Sequence, residues 1–318
     1  MRCAVVVPNW NGRRWLPGLV ASLEAQTRAP DRVLVVDNGS SDDSVGWLRE
    51  RAVPVLALGR NTGFAVAANR GIEAVADADL VALVNTDVEL EPDWLERACG
   101  RLEADASLAS VATKMVLLAT PGTIDDAGDV LRRDGVAEQR GHGRPDGPRF
   151  SSPGEVFSAC AGAAVYRRSA VLAAGGFDER LFAYLEDVDL GLRLRLAGWG
   201  CAYEPAVARH ARHGSDSAAA PSIDALVARN TLVLVAKAFP ARWLPLVAYR
   251  QAAWAWHAAR EGRLREHVSG LSAAVPLLPG ALRERRALRR SAIVPAERAV
   301  PARPWRGPHA GGHRRSPE

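Results

Sequence analysis

Residues 80–90, LVALVNTDVEL, decide how this chain is read. Leu80 to Val84 is an unbroken apolar run with no polar alternation, the pattern of a strand buried on both faces of a sheet. The run stops at Asn85-Thr86-Asp87, so a polar cluster stands at the strand's carboxyl end, where open α/β sheets collect ligands. Further strand-like runs lie at 4–7, 32–36 and 54–58. Helical patterns at 14–26, 42–51, 65–75 and 92–103 fill the gaps between the runs and follow the last of them. This alternation predicts an α/β fold with a mostly parallel central sheet flanked by helices.

Beyond that half, residues 119–156 are rich in Gly, Pro, Asp and Arg and read as loops and short irregular strands. The pattern turns helical again over 186–197, with Val188, Leu192 and Leu196 four apart on one face and Gly198 as a stop. After Ser222 three helical segments are expected, at 222–238, 241–260 and 263–290. The expected organisation is therefore an α/β domain over 1–221, a helical extension over 222–290 and a disordered tail over 291–318, where Pro, Gly, Arg and His dominate.

With 318 residues, 48% of them hydrophobic, the chain can bury one sizeable core and carry a small appendage. Cys3, Cys99, Cys160 and Cys201 are scattered without a C-x-x-C pair, which speaks against a zinc knuckle or a disulfide framework and fits a reducing compartment. The first residues enter a strand directly, with no secretory leader pattern. The longest apolar stretch, 231–249, is interrupted by Lys237, Pro240 and Arg242, so no bilayer span is expected. These features together predict a cytoplasmic protein. The net charge of +5 is uneven: residues 249–318 hold 14 Arg against 5 Glu, leaving the remainder net negative.

Several clusters carry chemistry. Pro8-Asn9-Trp10-Asn11-Gly12 ends the first strand, where a nucleotide base can stack on Trp10 or pack on Pro8; no G-x-G-x-x-G follows, which argues against a dinucleotide fold. Asp37-Asn38-Gly39-Ser40-Ser41-Asp42 ends the second strand. Asp37 there can accept the ring N–H of uracil or thymine, while Ser41 and Asp42 suit a turn and a helix cap. Asn61-Thr62-Gly63, opening a helix that contains Asn69, lets backbone approach a ribose or phosphate. Asp87 is suited to a divalent cation that bridges two phosphates.

Glu186-Asp187-Val188-Asp189 places three carboxylates at a helix start. The helix dipole stabilises them as anions, and burial beside Phe182 and Tyr184 pushes towards general-base use; the two effects oppose each other. His210 and His213, beside Gly214 and Ser215, are both open as a further metal ligand.

In this order, over residues 3 to about 240, the blocks PNWNG, VDNGSSDDS, NTGFAVAANRGI, NTDVEL and GGFDERLFAYLEDVDLGLRLRLAGW, with the histidine that follows, resemble the family 2 glycosyltransferases of GT-A fold, and within them the rhamnosyltransferase-like branch. The last block is the most specific.

The resemblance implies an inverting transfer of a sugar, rhamnose being the branch-level suggestion, from a nucleoside diphosphate to a hydroxyl of a cell-surface or polyprenyl-linked glycan. It implies that Pro8, Trp10 and Asp37 hold the base, that Gly63 and Asn69 lie near the ribose or diphosphate, and that Asn9, Asn38, Asn61 and Asn85 also belong to the donor site. Asp87 and His210 would hold Mg2+ or Mn2+, and Asp187, next to Glu186, would be the base. Asp125-Asp126-Ala127-Gly128 and the segment 158–163 would shape the sugar and acceptor pockets. Asn85 stands where the family's D-x-D motif has its first acid.

The Arg-rich helices, carrying Trp254, Trp256, Leu282 and Leu288, suit either an anionic membrane surface or a solvated basic face. Two rival readings exist: a non-catalytic nucleotide-sugar-binding subunit, prompted by Asn85, and a nucleic-acid binder, prompted by the positive charge. Asp87 with Glu186-Asp187 argues against the first. Charge confined to a tail, without a recognition motif, argues against the second, so no nucleic-acid partner is expected.

Overall fold

The computed structural model describes residues 1–212 and 222–302. The first half runs β1 (Cys3–Asn9), α1 (Leu16–Glu24), β2 (Arg32–Asp37), α2 (Ser44–Glu50), β3 (Val55–Ala57), α3 (Phe64–Ala74), β4 (Leu80–Val84), β5 (Val88–Leu90) and α4 (Trp94–Ala104). The second continues with β6 (Leu108–Leu117), β7 (Ile124–Asp126), β8 (Asp129–Leu131), β9 (Ala137–Gln139), β10 (Gly154–Glu155), β11 (Ala163–Arg167), α5 (Arg168–Ala173), α6 (Glu186–Leu196) and β12 (Gly200–His210). Five helices close the described chain: α7 (Ile223–Ala238), α8 (Leu244–Arg260), α9 (Leu264–Ala274), α10 (Leu278–Ser291) and α11 (Ala296–Ala299).

One ten-stranded sheet organises the molecule, in the order β10-β12-β6-β11-β4-β1-β2-β3 with β5 and β7 attached. The parallel part expected from sequence is β3-β2-β1-β4. The sheet as a whole is mixed, because β11 inserts antiparallel between β4 and β6. The chain steps outward from β1 through β2 to β3, then returns to the opposite side of β1 as β4. That reversal opens a crevice at the carboxyl ends of β1 and β4.

Side-chain alternation divides the core. Ala4 and Val6 of β1 face a layer with Ala65, Ala68 and Ile72 of α3 and Leu190 and Leu194 of α6. Cys3, Val5 and Val7 face Leu16 and Leu19 of α1 and Trp94 and Leu95 of α4. Gly71 lets α3 lie close on the sheet: a Cβ there would collide with Val6 and Val36.

The C-terminal helices are docked onto this body. Leu234, Val235 and Phe239 of α7, with Trp243 and Val247, share a core with Val188, Leu192 and Leu196 of α6, the face anticipated from their spacing. The expected segment 263–290 is two helices, because a turn at Val275–Leu277, containing Pro276, separates α9 from α10.

The disorder expected from residue 291 onward is corrected for residues 291–302. Ala299 and Val300 are buried in the same core as α6 and α7. The N–H groups of Ile293 and Val294 donate to the Leu196 carbonyl, and Arg133 donates to the carbonyls of Glu297 and Val300. Composition suggested a loose tail, but a few apolar side chains suffice once a complementary groove exists. No helix among the described residues is long and apolar enough to cross a membrane.

Candidate functional site

Three strand ends meet at the crevice. Asn9, closing β1, donates to Asp37 Oδ1 at the end of β2 (3.0 Å) and to Ser40 Oγ (3.1 Å). Thr86, past the end of β4, donates to the Pro8 carbonyl (3.0 Å) and to Asn9 Oδ1 (3.3 Å). Asp37 also accepts from the Ser40 N–H, and Asp42 accepts from the N–H groups of Arg13 and Ser44, the turn role allowed for it above. Pro8 and Trp10 are half-buried at the rim.

One level out, Asn38 Oδ1 accepts from the N–H and hydroxyl of Thr62, while its amide donates to Asn61 Oδ1 and the Gly63 carbonyl. Buried Asn9 and Asn38, with Asn61 at the exposed edge, thus form a hydrogen-bonded mesh that fixes two loops side by side, and satisfied amides of this kind rigidify the groups they join.

Asn69 has a different environment from the one expected. It is buried, its amide donates to the Phe177 carbonyl (2.9 Å) and Glu179 Oε1 (3.1 Å), and its oxygen accepts from the Phe177 N–H (2.8 Å). The side chain clamps α3 to the turn before α6 and has no hydrogen left to offer a ribose or diphosphate. A motif asparagine could be read as a ligand contact from sequence because the 108-residue separation hides its partner.

Past β4, Asp87 Oδ2 lies 3.2 Å from His210 Nε2 at the end of β12. His210 Nδ1 is in turn 2.7 Å from Asp125 Oδ2 on β7, and the Ala211 N–H donates to the Asp87 carbonyl. Asp125 also faces His142 Nδ1 (3.3 Å) and Arg212 Nε (3.2 Å). Burial alone would raise the Asp125 carboxyl, but hydrogen bonds from His142 and His210 and the charge of Arg212 hold it well below the usual range. Burial likewise disfavours the His210 cation, yet Asp125 and Asp87 outweigh it and lift that imidazole to about 9.

Asp87 and His210 therefore present an oxygen and a nitrogen donor together, with Asp125 fixing the imidazole from behind as second carboxylates do at metal sites. Among the described residues no three His, Cys, Asp or Glu side chains converge on one point. His213 lies outside the described residues.

The third wall comes from β11 and α6. The Asn85 N–H donates to the Gly162 carbonyl (2.8 Å), and the adjacent Ala161 N–H donates to Asp187 Oδ2 (3.3 Å). The Val188 N–H donates to Asp187 Oδ1 (2.7 Å). Asp187 is thereby tied, through Ala161 and Gly162 just before β11, to the segment after β4 that bears Asp87. Burial pushes Asp187 upward, the nearby N–H groups hold it back, and the upward push prevails.

Glu186 is buried and raised well above its usual range, by burial first and then by Asp187; its Oε2 has no protein partner among the described residues. Asp126 and Asp129 join this group. Asp126, fully buried, is lifted to about 7 by burial, with Asp125 and Asp187 adding repulsion; its Oδ1 accepts from the Gly128 N–H, and its Oδ2 has no partner among the described residues.

Hydrogen bonds and close contacts thus connect the strand ends that bear Asn9, Asp37, Asn85, Asp87 and His210 to the helix start that bears Glu186 and Asp187. Sequence reading did not find His142 or Arg212, which sit in irregular segments, and named Asp125 without connecting it to His210. The triplet Asp125, Asp126 and Asp129 was the available signal: three acids in five residues of a largely irregular stretch.

An open, mixed sheet whose switch point is lined by carboxylates, with an Asp–His pair on one wall and the buried Glu186-Asp187 pair on the other, is the architecture of a GT-A glycosyltransferase. The same architecture is found in solved structures. The mannosyltransferase PcManGT from Pyrobaculum calidifontis, in complex with GDP-Man and Mn2+, has a TM-score of 0.54 at 17% identity, covering 91% of this chain and 85% of its own. S. aureus TarS 1-349 in complex with UDP-GlcNAc has a TM-score of 0.57 at 18% identity, covering 92% and 87%.

Residues 4–173 match the sequence profile described as Glycosyl transferase family 2, and the chain belongs to that family. The N-acetylglucosaminyl-diphospho-decaprenol L-rhamnosyltransferase of Mycobacterium tuberculosis is 32% identical over 239 residues, 66% of this chain and 76% of the relative, in keeping with the rhamnosyltransferase-like motifs. The pre-mycofactocin glycosyltransferase of the same organism is 35% identical over 207 residues, 63% of this chain but 40% of that protein.

Proposed function

We propose that this glycosyltransferase inverts the anomeric carbon while moving a sugar, with rhamnose the leading candidate, from a dTDP- or UDP-sugar to a hydroxyl of a polyprenyl-diphosphate-linked or cell-surface glycan. The observation that carries the reading is the asymmetry of the crevice. A single displacement needs a proton acceptor on one face of the sugar and charge neutralisation on the other. Asp187, raised by burial and held by two backbone N–H groups, suits the first requirement. The Asp87–His210 wall suits the second.

Pro8, Trp10 and Asp37 flank the base in this reading, with Asn9, Asn38 and Asn61 as the braces behind it. Gly63 and Asn85 border the ribose and diphosphate, and Glu186 supports Asp187. Asp87 and His210 would hold Mg2+ or Mn2+, a hard cation that takes few protein ligands when phosphate oxygens complete its shell. When bound it would neutralise charge on the diphosphate.

The support for rhamnose and for a polyprenyl-linked acceptor is the mycobacterial relative, whose name specifies both. A thermal-shift panel of dTDP-, UDP- and GDP-sugars with and without Mn2+ tests the donor, because a ligand that binds only the folded state raises Tm. A metal-dependent rise with dTDP-rhamnose is expected; no rise with any sugar nucleotide would overturn the reading.

The acceptor's location follows from the C-terminal helices. Leu246, Tyr249 and Trp256 of α8, Val275 in the turn after α9 and Leu282 of α10 are exposed, Trp256 by 70%. Arg283, Arg286, Arg289 and Arg290 of α10 are exposed as well. Apolar and cationic groups together suit the anionic inner face of a cell membrane, making this a cytoplasmic, peripheral enzyme. Trp256→Glu should float less with anionic liposomes than the wild-type chain, and equal flotation would remove the membrane from the proposal.

A further inference from the structure

We infer that Asn230 of α7, reinforced by Lys237 two turns further along the same helix, is a positioning residue that aims the Glu186-Asp187 pair. The inference rests on the reading of Asp187 as the base. It starts from a backbone anomaly. Phe182, Tyr184 and Leu185 have φ of 62°, 69° and 66°, half of the six non-glycine residues with positive φ among the described residues, packed into the four positions before Glu186. L-residues avoid this region because Cβ crowds the carbonyl oxygen, so such a turn persists only where its surroundings enforce it.

The enforcement comes from α7. Asn230 is fully buried, and its amide donates to the carbonyls of Leu181 (2.9 Å), Ala183 (2.9 Å) and Tyr184 (2.7 Å). An amide carries two hydrogens, so three carbonyls sharing them must converge on one point. The Asn230 oxygen accepts from Arg229 Nε (2.9 Å), whose guanidinium also donates to the Leu181 carbonyl (2.7 Å). The amide is therefore oriented as well as placed.

Lys237 fixes the ends of the same turn. Its Nζ, buried with the side chain 3% exposed, lies 2.7 Å from Asp178 and 2.8 Å from Asp189, one carboxylate before the turn and one just inside α6. Arg180 pairs with both Asp178 (2.6 Å) and Glu284 of α10 (2.7 Å), extending the brace to a second C-terminal helix. On its other side the turn touches the donor loop: the Phe182 carbonyl accepts from the Ala65 N–H (3.1 Å), and the Phe182 ring lies against Gly63, φ 89°, where a Cβ would collide with it. The C-terminal helices thereby shape the base's turn from behind, and their contribution belongs to the chemical step more than to donor affinity.

The test uses Asn230→Ala and Asn230→Ser in the full chain. Steady-state rates are read on dTDP-rhamnose or UDP-N-acetylglucosamine, whichever the wild type turns over, and affinities by calorimetry with dTDP and UDP. A misaligned base should lower kcat by roughly 10- to 100-fold while nucleotide Kd changes less than about twofold. Serine, keeping one donor hydrogen, should lose less than alanine, and the comparison is read on serine alone where alanine does not fold. In an Asp187→Asn background, Asn230→Ala should cost nothing further, because the group it aims is already disabled.

An unchanged kcat, a loss of nucleotide affinity matching the loss of kcat, or a full additional loss in the Asp187→Asn background would each overturn the positioning role. Wild-type transfer by Asp187→Asn itself would instead overturn the base assignment, and this inference with it.

Discussion

Asp125 and Asp126 are neighbours on β7 and have opposite electrostatic fates. Consecutive strand residues point to opposite faces, so one carboxylate joins the wall of Asp87 and His210 and the other the wall of Asp187. Both are buried. Asp125 meets two imidazoles and a guanidinium and is held ionised; Asp126 meets carboxylates and a single N–H and is lifted to about 7. Burial sets how strongly each group responds, and the partners set the direction. In the proposed reading, one short strand separates the face that meets the diphosphate from the face that removes the proton.

The largest effect should come from disabling the proton-accepting face. Asp187→Asn keeps the shape and removes the base, so transfer should fall by about 10²- to 10⁴-fold with nucleotide affinity preserved. Asp87→Ala is the contrasting change: metal-dependent nucleotide binding should go as well, seen as the loss of the Mn2+-dependent part of the Tm shift. If the two variants fail in the same way in both measurements, the crevice does not have two chemically distinct walls.

A smaller effect is expected from Asp125→Asn, which leaves Asp87 and His210 in place and loosens the imidazole. Loss of such a supporting carboxylate typically weakens metal affinity by about 10- to 100-fold, measurable as a raised Mn2+ concentration for half-maximal activity. Unchanged Mn2+ dependence would mean that Asp125 braces the strand ends and nothing more.

The smallest change in activity, and an increase in stability, is expected from Asp126→Asn. The folded-state pKa of Asp126 is about 7, above its ordinary value, so the folded protein retains a proton that the unfolded chain releases. The contribution of Asp126 to stability is then greatest at acidic pH and declines as pH rises from about 4 to about 7, by at most ~4 kcal/mol. The Asn variant lacks that decline: its Tm should match wild type near pH 4 and exceed it above pH 7. Equal Tm differences at both pH values would show that Asp126 carries no retained proton.

The donor half was readable because each of its central strands is a continuous apolar run that stops at a polar cluster, so the strand end and its ligand-bearing residues are encoded together. Asp37 and Asp87 were singled out this way, and α1 to α4 fall within about three residues of their expected bounds. Asp187 was singled out because aromatic residues and three acids at a helix start are locally unusual. Legibility failed where function depends on distant partners. Asn69 looked like a ligand contact because its clamp on Phe177 is a tertiary fact. Asn230 was not singled out, since nothing near residue 230 announces that the backbone of residues 181–184 needs a donor. Residues 292–302 were read as loose because composition does not reveal the groove along α6 that receives them.

Lys237 has a consequence outside the crevice. The chain contains two lysines, and both are withdrawn from solvent: Lys237 among carboxylates, and Lys114 with its side chain 8% exposed and bonded to Asp146. Every other cationic side chain that is not histidine is an arginine, so amine-reactive cross-linkers and labels will find no surface lysine to modify. Attachment to a bead, a fluorophore or a neighbouring protein through a side chain has to use carboxylate, guanidinium or engineered thiol chemistry.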